Sequence, residues 1–436
     1  MKFKSNPVVK LVTIVILALL LLVPAGMIQN AIHERESNQR TATYSVQETW
    51  GGTQSIVPAY LVLPYIKYVG RTNTEGNTSQ VKYSRKLYVM PELLEVDANV
   101  TPEVLDKGVF QVAVYRSDLQ VTGAFTLPNL DELGIDPEHV LWDEAELNVG
   151  ISGLKSIDGL VDIVWGDQNV APEAGLTDSK VASSGLHAVV AATPGKPIPF
   201  QVNLSLKGSE SLRIAPVGKT TQVTMKGPWA SPAYTGSFSP THRSSEDGAF
   251  KAQWDIMHLN KNYPQYWKES EEHNVNLELV ETSFIIPVDR YTKNHRVTKY
   301  AILIIALTFL IFFFTESMKN KYVHPVQYTL VGLALVLFYT LLLSFSEHMG
   351  FNQAYAIATL MTLGMEFLYA KSVLKSWTLA GYVAIVLGLL YSFIFILIQL
   401  EELALLAGSV GLFIILAAIM YISRNINWQE LGKKLE

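Results

Sequence analysis

Cysteine is absent from this 436-residue chain. That removes disulfides, thiolate metal sites and thiol nucleophiles in one step, while an oxidising compartment stays permitted. Charge is scarce as well: Asp, Glu, Lys and Arg make up 17% of the residues, and the net charge is -5. No Lys/Arg-rich tract lies in the long polar segment, so nucleic acid is not an expected partner. Also missing are G-x-S-x-G, H-E-x-x-H, P-loop, G-x-G-x-x-G and EF-hand patterns. S-x-x-K occurs at Ser79–Lys82, Ser152–Lys155 and Ser372–Lys375, without the S-D-N and K-T-G elements that give it meaning. The nine histidines are scattered, with no pair at ligand spacing. We therefore expect no enzyme activity, no cofactor and no metal site.

Apolar residues, by contrast, make up 49% of the chain and are gathered in blocks. An α-helix needs roughly 20 apolar residues to cross a hydrocarbon core about 30 Å thick. Six runs approach that length: Val8 to Ile28, Lys299 to Thr315, His324 to Phe345, Phe351 to Ala370, Trp377 to Ile398 and Leu403 to Ile422. The first lacks the short core and small-residue cleavage site of a signal peptide, so it reads as an uncleaved anchor. Lys2 and Lys4 precede it, and Lys10 stands at its start. Lys319 with Lys321, Lys371 with Lys375, and Arg424 with Lys433 and Lys434 follow the second, fourth and sixth runs. The opposite loops hold Glu347 with His348, and Glu401 with Glu402. Basic residues favour the cytoplasmic side, so both termini are expected inside and everything between the first two spans outside.

Within that long insertion, apolar and polar residues alternate with the period of two that marks half-buried strands. Phe200, Val202, Leu204 and Leu206 are the clearest case; Leu147 to Ile151, Val161 to Trp165 and Phe250 to Ile256 repeat it. Phe110 to Val114 and Leu119 to Phe125 read as a hairpin turning at Arg116-Ser117-Asp118. Pro58 and Pro64 place Ile56 to Tyr65 at a sheet edge, because proline donates nothing to a central ladder. Val69 to Gln80 reads as a loop, Thr241 to Gly248 as a linker, and Thr101 to Asp106 and Asp131 to Asp136 as short helices. The fold class is thus an α+β membrane protein. Six transmembrane helices, one N-terminal and five C-terminal, carry a large antiparallel β-rich periplasmic domain between the first and second, expected to be a sandwich. The expected divisions are 1–29 for the anchor, 30–298 for the β domain, 299–423 for the five-helix bundle and 424–436 for the tail.

Ionisable groups in or near the apolar runs are the candidate functional residues, because a charge in hydrocarbon costs several kcal/mol and marks pathways. They are Glu366, Glu316, Glu347 and His348. Glu366 lies inside the fourth run, about a turn from Lys371, so it reads first as an interfacial carboxylate reaching a basic partner and second as a proton or ion site. Glu316 with Lys319, and Glu347 with His348, read as solvated or domain-facing groups at span ends.

Long stretches carry a family likeness: RVTKYAILIIALTF from Arg296, HPVQYTLVGLALVLFYTLLLSFSEHMGF from His324, SRNINW from Ser423, GGTQSIVPAYLVLPY from Gly51, MPELL from Met90, LSLKGSESLRIAPVGKTTQVTMKGPWASPAYTGSFSP from Leu204 and FKAQW from Phe250. These resemble the CreD family of bacterial inner-membrane, cell-envelope integrity proteins over nearly the whole chain, least between Leu133 and Lys196. The resemblance implies an envelope protein under a two-component response system, linked to envelope stress, colicin tolerance and β-lactam sensitivity. It implies no catalytic residues. The expected role is envelope maintenance by binding a periplasmic protein, a lipid or a cell-wall component, with the lipid bilayer as constant partner. The alternatives are a transporter or channel in the C-terminal helices, marked by Glu366 facing a water-filled cavity, and an envelope enzyme of unrecognised type.

Overall fold

A computed structural model of the chain describes residues 7–72, 78–284, 286, 289–319, 323–400 and 403–424. It comprises two compact units, one formed by Thr41–Ile286 and the other by Met1–Arg40 with Pro287–Glu436. The charges expected at Lys2, Lys4, Lys321, Glu401, Glu402, Lys433 and Lys434 lie outside the described residues.

Eight α-helices occur among the described residues: α1 (Pro7–Leu20), α2 (Leu22–Trp50), α3 (Asp289–Lys299), α4 (Ala301–Lys319), α5 (Pro325–Met349), α6 (Phe351–Leu374), α7 (Trp377–Gln399) and α8 (Ala404–Ser423). Local chemistry sets several of their ends. Pro325 opens α5, where a missing N–H costs nothing, and the His324 side chain accepts from the Val326 N–H. Gly350, at φ +80°, turns the chain between α5 and α6, a conformation open to glycine because it has no Cβ. Ser376 caps α7 through the Leu379 N–H.

By length and composition, five helices are able to cross a membrane, one of them N-terminal. The count becomes six if Tyr291–Lys299 and Ala301–Ser317, bent by 44°, form one broken span. Outward faces of these helices are apolar: Leu333 and Leu337 of α5, Leu360 of α6, Leu389 of α7 and Leu405 and Phe413 of α8 are all exposed. Hydrocarbon, not water, suits such a surface. Three tyrosines, Tyr328, Tyr339 and Tyr391, sit inside and are buried, while Tyr382 and Tyr421 are exposed.

In the β unit the strands are β1 (Gln54–Thr72), β2 (Thr78–Val89), β3 (Leu93–Lys107), β4 (Phe110–Phe125), β5 (Ala145–Ile151), β6 (Asp162–Trp165), β7 (Gln168–Val170), β8 (Glu173–Ala174) and β9 (Gly185–Val190). They continue as β10 (Ile198–Ser209), β11 (Ser211–Ile214), β12 (Thr220–Gly227), β13 (Ala233–Tyr234), β14 (His242–Glu246), β15 (Ala249–Met257), β16 (Tyr266–Lys268) and β17 (Val280–Ser283). One sheet runs β13-β17-β11-β1-β5-β9-β8, with β2 on β1 and β16 on β2; the other runs β14-β15-β12-β3-β4-β10-β6-β7. A single hydrophobic cluster takes Tyr60, Leu147 and Ile214 from the first sheet and Val96, Val202 and Trp254 from the second, so the unit is a two-sheet sandwich. The chain changes sheets at Glu210, whose φ of +65° makes the corner between β10 and β11.

Several sequence expectations change. β4 is one continuous strand without a turn at Arg116-Ser117-Asp118, because Ser117 points inward between an outward Arg116 and Asp118 and leaves the alternation intact. The turn lies instead at Gly108, between β3 and β4. Thr101 to Asp106 belongs to β3, not to a helix; β12 pairs β3 only through Asn99, so Pro102 falls beyond that ladder. β1 is central, not an edge. Pro58 falls in an irregularity of its pairing with β5, and the Pro64 carbonyl accepts from the Leu141 N–H. Strands replace the loop at Val69 to Thr72 and at Thr78 to Gln80, and β14 replaces the polar linker. Two strand pairs, β1 with β11 and β3 with β12, are parallel, so the antiparallel expectation holds for most of the pairings but not all.

Candidate functional site

Three carboxylates of the helical unit meet three different environments. Glu316, near the end of α4, is buried against Lys10 of α1 as an ion pair. The Lys10 ammonium also donates to the Val323 carbonyl at 2.8 Å, and the Tyr328 hydroxyl donates to Glu316 Oε2 at 3.1 Å. Every element of that cluster sits at one end of the helices, tying the N-terminal helix to α4 and α5. Sequence reading offered Lys319 as its neighbour and a solvated setting; the partner is instead 306 residues away.

Glu347, close to the end of α5, receives the Arg35 guanidinium at 3.4 Å and the Tyr291 hydroxyl at 3.4 Å. Beside it Asn294 Nδ2 donates to Ser346 Oγ at 2.8 Å, and the rings of His33 and His295 lie 5.1 Å apart. His348 uses Nδ1 on the Ser344 carbonyl of its own helix, 3.1 Å away. These residues join α2, α3 and α5 at the end opposite Lys10.

Glu366 is different. It is 2% exposed on α6, and neither carboxylate oxygen has a hydrogen-bond partner among the described residues. The expected basic neighbour, Lys371, lies over the Trp377 ring at 4.7 Å instead. Tyr355, Thr359, Thr362 and Glu366 recur at spacings of four, three and four, which puts them on one face of α6. That face meets Tyr339 of α5 and Tyr391 of α7, whose hydroxyls, like that of Thr362, are buried and unpartnered among the described residues. The Tyr355 hydroxyl donates to the Tyr391 carbonyl at 2.8 Å and so ties α6 to α7 along this face. The spacing was legible in the sequence; that both neighbouring helices would answer it with orphaned phenols was not.

In the β unit, the buried Lys261 and the half-buried Asp178 both have partners. Lys261 donates to the carbonyls of Pro216 (2.8 Å) and Gly218 (2.5 Å). Burial pushes its ammonium down to about 8, with Glu278 acting the other way. Burial works to raise the Asp178 carboxyl, yet hydrogen bonds from Lys86 Nζ, the Lys180 backbone N–H and the Tyr88 hydroxyl hold it below the usual carboxylate range.

The outward face of the second sheet is built of short polar side chains. Register places Gln253, Thr224, Asp97, Gln120, Asn203 and Asp162 in one row across β15, β12, β3, β4, β10 and β6. Six strands at roughly 4.8 Å make a row about 24 Å long. Alongside it, Ser205 donates to Asp118 at 2.5 Å and Lys226 pairs with Asp97 at 3.0 Å. A shallow cleft of about 450 Å³ covers four of the six, Asp97, Gln120, Asn203 and Asp162, with Leu160 and Asn99 at its walls.

The family model described as "Inner membrane protein CreD" matches residues 6–429. A curated relative, the inner membrane protein CreD of Escherichia coli (strain K12), is 30% identical over 419 residues, covering 94% of this chain and 91% of the relative. Among solved structures, an M1 zinc metallopeptidase of Deinococcus radiodurans is 8% identical over 49% of this chain and 53% of its own, with a TM-score of 0.21. At that score the likeness carries no argument.

Proposed function

The chain belongs to the CreD family of inner membrane proteins, and from that premise we propose that it maintains the cell envelope by holding a cell-wall glycan on its β unit. The six-residue polar row carries this reading. Amides, carboxylates and hydroxyls on short side chains present donors and acceptors in fixed register, which suits a hydroxyl- and amide-rich polymer lying across the strands. A lipid would want an apolar slot, and a folded protein would want the aromatic anchors that mark tight interfaces. The topology in this reading has six spans, with α3 and α4 together as the second, both termini cytoplasmic and the β unit periplasmic. Basic residues after alternate spans support it, as does the placing of Lys10 with Glu316 at one helix end and Arg35 with Glu347 at the other.

Photocrosslinking side chains at Gln120 and Asn203 of the full-length protein in living cells test the reading. Glycan fragments should be captured from both positions and not from Leu277, which is exposed elsewhere on the same unit. Equal capture from all three, or capture of protein alone, would overturn it.

A further inference from the structure

Orphaned buried polar atoms ask for a partner, since each costs about 1–3 kcal/mol while it goes unbonded. The helical unit concentrates them in one place. The two Glu366 oxygens and the hydroxyls of Thr362, Tyr339 and Tyr391 are all buried without a bonded partner among the described residues, and the Thr359 hydroxyl has only the Tyr355 hydroxyl within reach. Tyr355, on the same face of α6, uses its hydroxyl on the Tyr391 carbonyl at 2.8 Å.

Position along the helix decides what the cluster is built for. At roughly 1.5 Å per residue, Glu366 lies about 22 Å from the Phe351 end of α6 and about 12 Å from the Leu374 end. Tyr355 is about 6 Å from the Phe351 end, so the polar face runs about 16 Å along the axis. Oxygens strung out in this way form a line and not a cage, which argues against a cation held by converging ligands. At the Phe351 end, Gln399 Nε2 donates to Asn352 Oδ1 at 2.7 Å, and both residues reach the surface there. The line thus starts at an exposed amide pair and ends at a carboxyl group.

Among the described residues nothing around Glu366 supplies a positive charge. On α5 the titratable neighbour is Tyr339, on α7 Tyr391, and on α6 itself Tyr355, Tyr369 and Lys371, whose ammonium is drawn to Trp377. α3 also packs on α6, but its Lys293 lies over Phe351 at the far end and its Arg296 donates to the Ile398 carbonyl. A carboxylate in such surroundings costs several kcal/mol that the neutral acid avoids.

We propose that Glu366 is a proton-binding site inside the helix bundle, loaded from the Phe351 end of α6 along the face formed by Tyr355, Thr359 and Thr362. Hydronium at that end gives up the proton and is left as water, and the carboxylate becomes a carboxylic acid; release reverses the step. This role is separate from glycan holding by the β unit and gives the helices a proton-linked activity of their own.

The full-length protein in lipid nanodiscs, treated with dicyclohexylcarbodiimide, tests the site, because that reagent attacks protonated carboxyl groups in apolar surroundings. The Glu366 peptide should be labelled, with labelling falling about tenfold between about pH 6 and about pH 9, while the ion-paired Glu316 stays unlabelled. Absence of labelling, labelling that is flat with pH, or protection by sodium at constant pH would each overturn the proposal. The line is read separately by infrared spectroscopy after a jump into deuterated buffer. Replacing Thr359→Val and Thr362→Val together should slow the shift of the Glu366 carbonyl band about tenfold at unchanged fold. An unchanged rate in that variant overturns the assigned route.

Discussion

The β unit and the helical unit both bury ionisable side chains, and they treat them differently. Lys261 and Asp178 in the sandwich are surrounded by carbonyls, hydroxyls and an ammonium that satisfy them. In the helices, Glu316 is equally well served by Lys10 and Tyr328, whereas Glu366 is left with neutral, unpartnered phenols and hydroxyls. Burial alone is therefore a poor sign of function. A buried charge with a full set of partners is explained by folding, and one without them is not.

The largest effect should come from breaking the Glu316 pair. Lys10→Met leaves a buried carboxylate with the Tyr328 hydroxyl alone, and removing one partner of such a pair costs about 3–5 kcal/mol. Thermal unfolding of the full chain in detergent should show that loss, and the double variant Lys10→Met with Glu316→Leu should recover part of it. A single-variant cost under about 1 kcal/mol would place the pair among ordinary surface bridges and erase its contrast with Glu366.

The second test reverses the sign. Glu366→Leu removes a polar group that has no partner to lose among the described residues, so the same unfolding measurement should show a gain of about 1–3 kcal/mol. Stability gained where proton binding is lost is the usual mark of a site kept for use and not for folding. A loss comparable to that of Lys10→Met would mean that Glu366 has a bonded role in the fold, and the contrast would collapse.

How much of this was legible follows the same divide. Apolar runs announced the helices, and alternation announced β5, β6, β10 and β15, because hydrophobic period is local information. The polar triplet Arg116-Ser117-Asp118 misled because turn-forming residue types can sit in a strand whose pleat they respect. Pro64 misled because the ladder it cannot serve is replaced on that side by the Tyr65–Val140 bridge. Lys10 was legible as a topological charge but not as the partner of Glu316, since nothing in a sequence joins positions 306 residues apart. The site at Glu366 lay between these cases. Its own helix face could be read by counting, but its isolation depends on where Lys371 turns.

The smallest effect belongs to the satisfied charge of the β unit, and pH reveals it. Burial lowers the Lys261 ammonium from 10.5 to about 8 in the folded chain. Above about pH 8 the native state gives up that proton while the unfolded chain keeps it, so the unfolded state binds more protons and stability rises with pH. Below about 8 both states are protonated and the penalty is constant. Screening at a partly open site limits the gain to roughly 1–2 kcal/mol. Buried phenols work in the other direction. Tyr60, Tyr88, Tyr115 and Tyr263 are all raised above 10.0, chiefly by burial, so beyond about pH 10 the unfolded chain loses protons that the native state retains, and stability falls. Denaturant unfolding of the full chain, followed through tryptophan fluorescence, should therefore pass through a maximum near pH 10. In Lys261→Met the rise between about 8 and 10 should vanish while the fall above it persists. A wild-type profile that declined steadily from pH 8 would show that the Pro216 and Gly218 carbonyls hold a lysine as comfortable in its proton as any on the surface.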